Sequence, residues 1–273
     1  MTTLDVAGVT TINMVRTGPR GGSPVVFLHP VGLDLTWWGD QFSTFGPERD
    51  LLAFDMPGHG ASGALTTPPS FEVMADTLEA VLDAAAAGPA HLVGLSVGGM
   101  IAQAFALRRP HLVRSLSLIA TLCTFPEPVR DVLRERSRVA REEGMATIAE
   151  LTNERWFPPS FRDQRPDVLD RAGKSLRAQD GEFHALMWDM IRGLNLEKNL
   201  PDITCPTMVV VGGSDGNSPP AAGERIAELI PGASLTVLPG VGHFPPYETP
   251  VAFNTLLRRF LAKVDPLPAK ENA

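Results

Sequence analysis

Three polar side chains, far apart in the chain, have the types and settings that nucleophilic acyl chemistry requires. Ser96 lies in Gly94-Leu95-Ser96-Val97-Gly98-Gly99. A serine hydroxyl is a weak nucleophile until a base takes its proton, and a histidine oriented by a carboxylate is the usual base. Downstream, Asp215 stands in Gly212-Gly213-Ser214-Asp215-Gly216 and His243 in Pro239-Gly240-Val241-Gly242-His243-Phe244. The order Ser, Asp, His is the one used where a G-x-S-x-G serine joins a strand to a helix. Each residue alone has a duller reading: a Gly/Ser-rich loop, a turn aspartate bonded to its own backbone, a surface histidine. Their occurrence together and in order favours the chemistry.

Attack on a carbonyl creates a tetrahedral oxyanion that needs N–H donors. The residue after the nucleophile, Val97, offers one. The other is expected from His29-Pro30-Val31-Gly32. Pro30 has no N–H, which leaves Val31. The substrate pocket is expected to involve His29, Trp156, Phe157, Met187, Trp188 and Phe244. Large apolar side chains at helical spacing otherwise read as helix packing; Arg155 or an arginine of the Arg130 to Arg141 run could bind a substrate carboxylate, against the default of a solvated face. His184 could touch substrate but reads better as a surface-helix residue, His91 and His111 read as structural, and His59 as part of a turn.

These residues need rigid elements to bring them together. Short apolar runs bounded by Gly, Pro and Asp recur at 24–28, 51–54, 90–93, 116–119, 207–211 and 234–238. Several are continuously apolar, as strands covered on both faces of a parallel sheet must be. Helical stretches separate them, including one capped by Ser70 with a stripe at Val73, Thr77, Leu78, Val81 and Leu82, ended by Gly88-Pro89. Alternating strands and helices predict an α/β fold with a mostly parallel sheet. The rhythm stops between about 124 and 199, where charge-rich helical runs and large side chains replace strands. We therefore expect a core of residues 1–123 and 200–273 with a helical cap, or lid, at 124–199.

Composition narrows the class. A chain of 273 residues that is 44% apolar and 20% charged can bury a large core, which excludes intrinsic disorder. A net charge of -7 repels polyphosphates, so nucleic acid is not an expected partner. Cys123 and Cys205 read as buried free thiols, and no metal site is expected. The uncharged stretch Ala84 to Leu107 has the length of a membrane helix. Its glycines and proline break it into a strand and parts of two helices, so no membrane partner is expected. The start lacks a basic segment followed by an apolar one, from which a cytoplasmic location is expected. The tail after Val264 reads as frayed.

With these motifs assembled, the chain resembles the α/β-hydrolase superfamily along almost its whole length. The resemblance rests on His29-Pro-Val-Gly32, Asp55-Met-Pro-Gly-His-Gly-Ala-Ser62, Gly94-Leu-Ser-Val-Gly-Gly99 and Gly240-Val-Gly-His243. Within the superfamily it is most similar to the 3-oxoadipate enol-lactonase and small esterase group. That likeness is carried by Gly94 to Gln103, by Gly144-Met145 through Glu154-Arg-Trp-Phe157, and by Ile203-Thr-Cys-Pro-Thr207 leading to Ser218-Pro-Pro220. It implies hydrolysis of a small-molecule ester or lactone by Ser96, Asp215 and His243 without a cofactor. The oxyanion loop departs from those lactonases, which carry Asn-Ser where this chain has His29-Pro30. The same triad also serves C–C bond hydrolases and haloperoxidase-type perhydrolases, and a ligand-binding protein of the same fold is the remaining alternative.

Overall fold

The inner strands form where side chains of both orientations find an apolar neighbour. The computed structural model describes residues 2–6 and 9–267. Its strands are β1 (Thr2–Val6), β2 (Val9–Thr17), β3 (Val25–Leu28), β4 (Leu51–Phe54), β5 (Ala90–Leu95), β6 (Val113–Ile119), β7 (Thr207–Gly212) and β8 (Ser234–Leu238). They make one sheet in the order β1-β2-β4-β3-β5-β6-β7-β8. β2 runs antiparallel to β1 and β4, and every other neighbouring pair is parallel.

Alternation along β3 divides the core. Val25 and Phe27 pack with Trp38, Phe45, Phe253 and Leu257 on one face. Val26 and Leu28 pack with Leu78, Val81 and Phe105 on the other. Six of the eight strands were expected: β3 and β4 are unbroken apolar runs covered on both faces, whereas β8, at the sheet edge, is partly exposed and carries polar residues. β1 and β2 were not expected. Ile12 and Met14 enter the core in alternation with polar neighbours, the pattern of a marginal hairpin and not of an inner strand.

Helices α1 (Gly39–Phe45), α2 (Phe71–Ala84) and α3 (Val97–Arg108) belong to the first half. Ser70 caps α2 by accepting the Val73 N–H at 3.2 Å. Thr77, Leu78, Val81 and Leu82 are buried, and the helix ends before Gly88-Pro89. Between β6 and β7 the chain forms only helices: α4 (Glu127–Glu142), α5 (Met145–Trp156), α6 (Pro159–Gln164), α7 (Pro166–Arg177) and α8 (Gly181–Arg192). A bridge between Thr124 and Asn195 closes the neck of this segment. Helices α9 (Pro220–Leu229), α10 (Pro245–Glu248) and α11 (Pro250–Val264) complete the chain.

Ala84 to Leu107 spans the end of α2, β5 and most of α3, and no helix among the described residues is long and apolar enough to cross a membrane. Cys123 is buried, Cys205 is half-buried and both are free. Burial pushes each thiol up to about 11, which makes both poor nucleophiles. Of the tail after Val264, residues 268–273 lie outside the described residues.

Parallel strands end on one edge of a sheet, so the loops after β3, β5, β7 and β8 open on the same side. His29, Ser96, Asp215 and His243 sit on those four loops.

Candidate active site

Ser96 occupies the turn between β5 and α3 with φ 56° and ψ −118°, a strained conformation for a residue with a side chain. The turn closes because its flanks are small. A Cβ on Gly98 would collide with the Leu28 carbonyl, and one on Gly94 with the Gly98 carbonyl. Ser96 N–H donates to Ile119 O at 2.9 Å, anchoring the tip to β6.

Behind this turn, Thr121 Oγ1 donates to the Ser96 carbonyl at 2.7 Å. In the loop after β3, His29 Nδ1 donates to the Pro30 carbonyl at 2.8 Å. A trans peptide points its C=O and N–H in opposite directions. Holding these carbonyls from behind therefore turns the N–H groups of Val97 and Val31 the other way. Both valines are buried, and neither N–H meets an acceptor among the described residues. An incoming oxyanion would supply one.

His243 Nδ1 donates to Asp215 Oδ2 at 2.7 Å, with both side chains almost wholly buried. The other carboxylate oxygen accepts the N–H groups of Asn217 at 2.8 Å and Ser218 at 3.1 Å. Because the carboxylate is an acceptor, Nδ1 carries the proton and Nε2 keeps its lone pair. Ser96 and His243 line the same cavity of about 510 Å³. No hydrogen bond joins Ser96 Oγ to the imidazole, a contact that in unliganded hydrolases often tightens only with substrate.

The histidine loop depends on a residue that sequence reasoning missed. Glu248 accepts the Gly242 N–H at 2.7 Å and the Phe244 N–H at 2.8 Å, bracketing His243 from both sides. Burial holds its carboxyl above the usual range, although these donors pull the other way. His243 N–H also reaches Trp156 O at 2.9 Å, tying the loop to α5. Glu248→Ala strands two buried N–H donors, each worth about 1–3 kcal/mol. The expected result is a melting temperature lower by roughly 2–4 °C per kcal/mol lost, read by thermal unfolding.

The expected pocket residues divide. Trp156 and Trp188 line the cavity with Met100, Leu133, Arg136 and Arg155. Phe157, Met187, Phe244 and His29 do not. Phe157 stacks on Phe161 at 5.1 Å and packs against Phe244, which also meets Trp37. Met187 is fully buried in the apolar core. His29 lies behind the oxyanion loop, where its Nε2 accepts the Met56 N–H at 2.8 Å and burial pushes it down to about 4. The ring is neutral and spans β3 to the loop after β4. His184, expected on a surface helix, is buried and accepts the Trp188 indole N–H at 2.9 Å.

Asp55 explains the Asp55-to-Ser62 motif as architecture. Its carboxylate accepts from Asn13 Nδ2 and from the N–H groups of Leu35 and Ala61. Among the described residues no cluster of side chains suited to a metal ion occurs.

A strained serine on a strand-to-helix turn, over a cavity shared with a carboxylate-bound histidine, agrees with the family comparison. A model of the alpha/beta hydrolase family matches residues 25–256. The chain belongs to the alpha/beta hydrolase family. It is 26% identical over 264 residues to 3-oxoadipate enol-lactonase 2 of Acinetobacter baylyi, covering 95% of this chain and 96% of that one. It is 34% identical to the pimeloyl-[acyl-carrier protein] methyl ester esterase of Chromobacterium violaceum, covering 82% and 88% of the two chains. The enol-lactonase structure from Burkholderia xenovorans superposes with a TM-score of 0.91 at 27% identity, covering 96% of this chain and 100% of that one. The alpha/beta hydrolase assignment accounts for the parallel sheet and for the chain order of Ser96, Asp215 and His243.

Proposed function

We propose that this alpha/beta hydrolase is a serine hydrolase that cleaves a small ester or lactone through an acyl-enzyme on Ser96. The observation that carries the reading is the buried Asp215–His243 pair, whose imidazole borders the same cavity as Ser96. His243 Nε2 takes the Ser96 proton as Oγ attacks the carbonyl carbon, and Asp215 stabilises the imidazolium. The carbonyl oxygen becomes an oxyanion held by the Val31 and Val97 N–H groups. The imidazolium returns its proton to the leaving oxygen, which departs from an ester or stays tethered in an opened lactone. His243 then deprotonates a water that attacks the acyl carbon, and the imidazolium returns that proton to Ser96 Oγ as the acyl–Oγ bond breaks. Nucleophile, base and oxyanion donors are all supplied by the chain itself, and residues 124–199 act as the cap over the cavity.

The substrate is an anion. Arg136 and Arg155 both line the cavity. Burial, and then repulsion by Arg155, push Arg136 down to about 10, with no carboxylate opposing them. Two cations facing a partly desolvated space without a counter-charge favour a ligand that brings one. The names of the relatives, an enol-lactonase and a methyl ester esterase, agree with the bond class.

The test is a fluorophosphonate, which labels an activated serine, followed by a substrate panel of lactones, aryl esters and vinylogous diketones. Labelling at Ser96 is expected, with a monoanionic aryl ester preferred over its neutral equal by about tenfold in kcat/KM, the value of one charge-assisted hydrogen bond. Cleavage of the diketone alone would assign C–C bond hydrolysis instead. A folded protein that resists labelling and turns over nothing would leave only a ligand-binding role.

A further inference from the structure

Helix α4 carries five arginines, Arg130, Arg134, Arg136, Arg138 and Arg141, and four of them are tied down. Arg130 donates to the carbonyls of Arg192 and Leu194. Arg134 pairs with Asp131, and Arg138 with Glu135, Glu142 and Glu143. Arg141 reaches Glu182 and Asp189 on or beside α8. Arg136 has neither an acid nor a carbonyl acceptor among the described residues. Its guanidinium lies instead over the Trp188 ring, with the central carbon 4.6 Å from the ring centroid.

The manner of holding matters. A carboxylate would fix the guanidinium but occupy its in-plane donors and cancel its charge. An aromatic face attracts the cation through the ring quadrupole from above the plane, which leaves the donors and the charge free for an incoming anion. The ring must then be fixed by something else. Trp188 Nε1 donates to His184 Nε2 at 2.9 Å, one helical turn earlier on α8. His184 accepts only as a neutral imidazole with its proton on Nδ1. Burial, and then repulsion from His59 and Arg136, push it down to about 3.

The same imidazole lies near Gly32, in the loop after β3. A Cβ on Gly32 would sit 3.4 Å from His184 Cε1. The chain His184, Trp188, Arg136 thus begins near Gly32 and ends at the cation in the cavity wall.

We propose that Trp188 and His184 are positioning residues that hold Arg136 as an uncompensated cation in the cavity wall, and so determine selectivity for anionic substrates. This rests on the hydrolase reading above.

The experiment compares kcat/KM for 4-nitrophenyl hydrogen glutarate, a monoanionic ester, with that for neutral 4-nitrophenyl butyrate. It uses the wild type, Trp188→Leu, His184→Phe, Arg136→Gln and the Trp188→Leu/Arg136→Gln double variant. Trp188→Leu is expected to lower the anionic-to-neutral ratio by roughly tenfold, mainly through KM of the anionic ester, and His184→Phe by a smaller factor in the same direction. In the Arg136→Gln background, Trp188→Leu is expected to move the ratio no further, because both changes remove one interaction. Fluorophosphonate labelling checks that each variant keeps an intact Ser96 site. Should Trp188→Leu fail to fold, Trp188→Phe, which keeps a ring but loses the N–H, must show the same sign. Equal losses on both esters, or a ratio that falls independently in the two backgrounds, would overturn the proposal while leaving the hydrolase reading intact. A wild type that neither labels nor turns over either ester would remove both.

Discussion

Ser96→Ala is expected to lower turnover of a small aryl ester by on the order of 10⁴ to 10⁶, the scale seen when one member of a triad that acts as a unit is removed. The variant keeps β5, α3 and the glycines that let them approach, because the serine side chain makes no structural hydrogen bond and the turn is anchored through its backbone. Its melting temperature should therefore stay close to that of the wild type while covalent labelling disappears. The signature of a unit is non-additivity. His243→Ala should cost about as much as Ser96→Ala, and the double variant little more than either. What remains should still exceed the uncatalysed rate, because the Val31 and Val97 N–H groups can polarise a bound carbonyl without the nucleophile. Retention of most hydrolysis by Ser96→Ala, with the protein folded, would rule out the acyl-enzyme.

The parts of the molecule that were legible in advance are those set by local sterics and by two-sided burial. β5 and α3 could be read because a sharp reversal demands small residues at 94 and 98 and leaves one polar side chain at the tip. β3 and β7 could be read because both faces of an inner parallel strand are buried, which leaves them almost entirely apolar, with Thr207 the one polar side chain in the two. Asp215 and His243 followed from chain order and from their glycine-rich loops, without knowledge of the distance between them. The illegible parts are those decided by which face of a helix meets which neighbour. Helical periodicity marks Phe157, Met187 and Trp188 alike as apolar, yet only Trp188 meets the cavity. The same limit left open which arginine of the Arg130 to Arg141 run could meet a substrate carboxylate: four of the five on α4 are paired as a solvated face or tied to carbonyls, and Arg136 lines the cavity. His29 was assigned to the pocket and Glu248 was missed for another reason. Their partners are backbone groups of other segments, such as Met56 N–H, and main-chain donors leave no trace in the sequence. Glutamate in a short helix after a histidine loop signals nothing until the loop folds back onto it.

Asp215→Asn is expected to lower kcat by about 10⁴, and the geometry says why. The carboxylate accepts on both sides: two backbone N–H groups, of Asn217 and Ser218, on Oδ1 and the imidazole Nδ1–H on Oδ2. An amide has a single oxygen. Two backbone donors fix it at the Oδ1 position, since an NH2 there would face two N–H groups. The NH2 then faces His243 Nδ1 and can only donate. The imidazole responds by moving its proton to Nε2, where it points at the Ser96 side of the cavity and no longer acts as a base. The shape of the site is preserved and its proton inventory reversed. Nitrogen NMR of His243 should report protonation of Nε2 in the variant and of Nδ1 in the wild type. Fluorophosphonate labelling should slow in parallel with kcat, because both need the same proton removed from Ser96. Asp215→Glu keeps the charge but lengthens the side chain, and it should retain more activity than Asp215→Asn even with poorer packing. If Asp215→Asn turned over esters within tenfold of the wild type, the carboxylate would have no part in orienting His243.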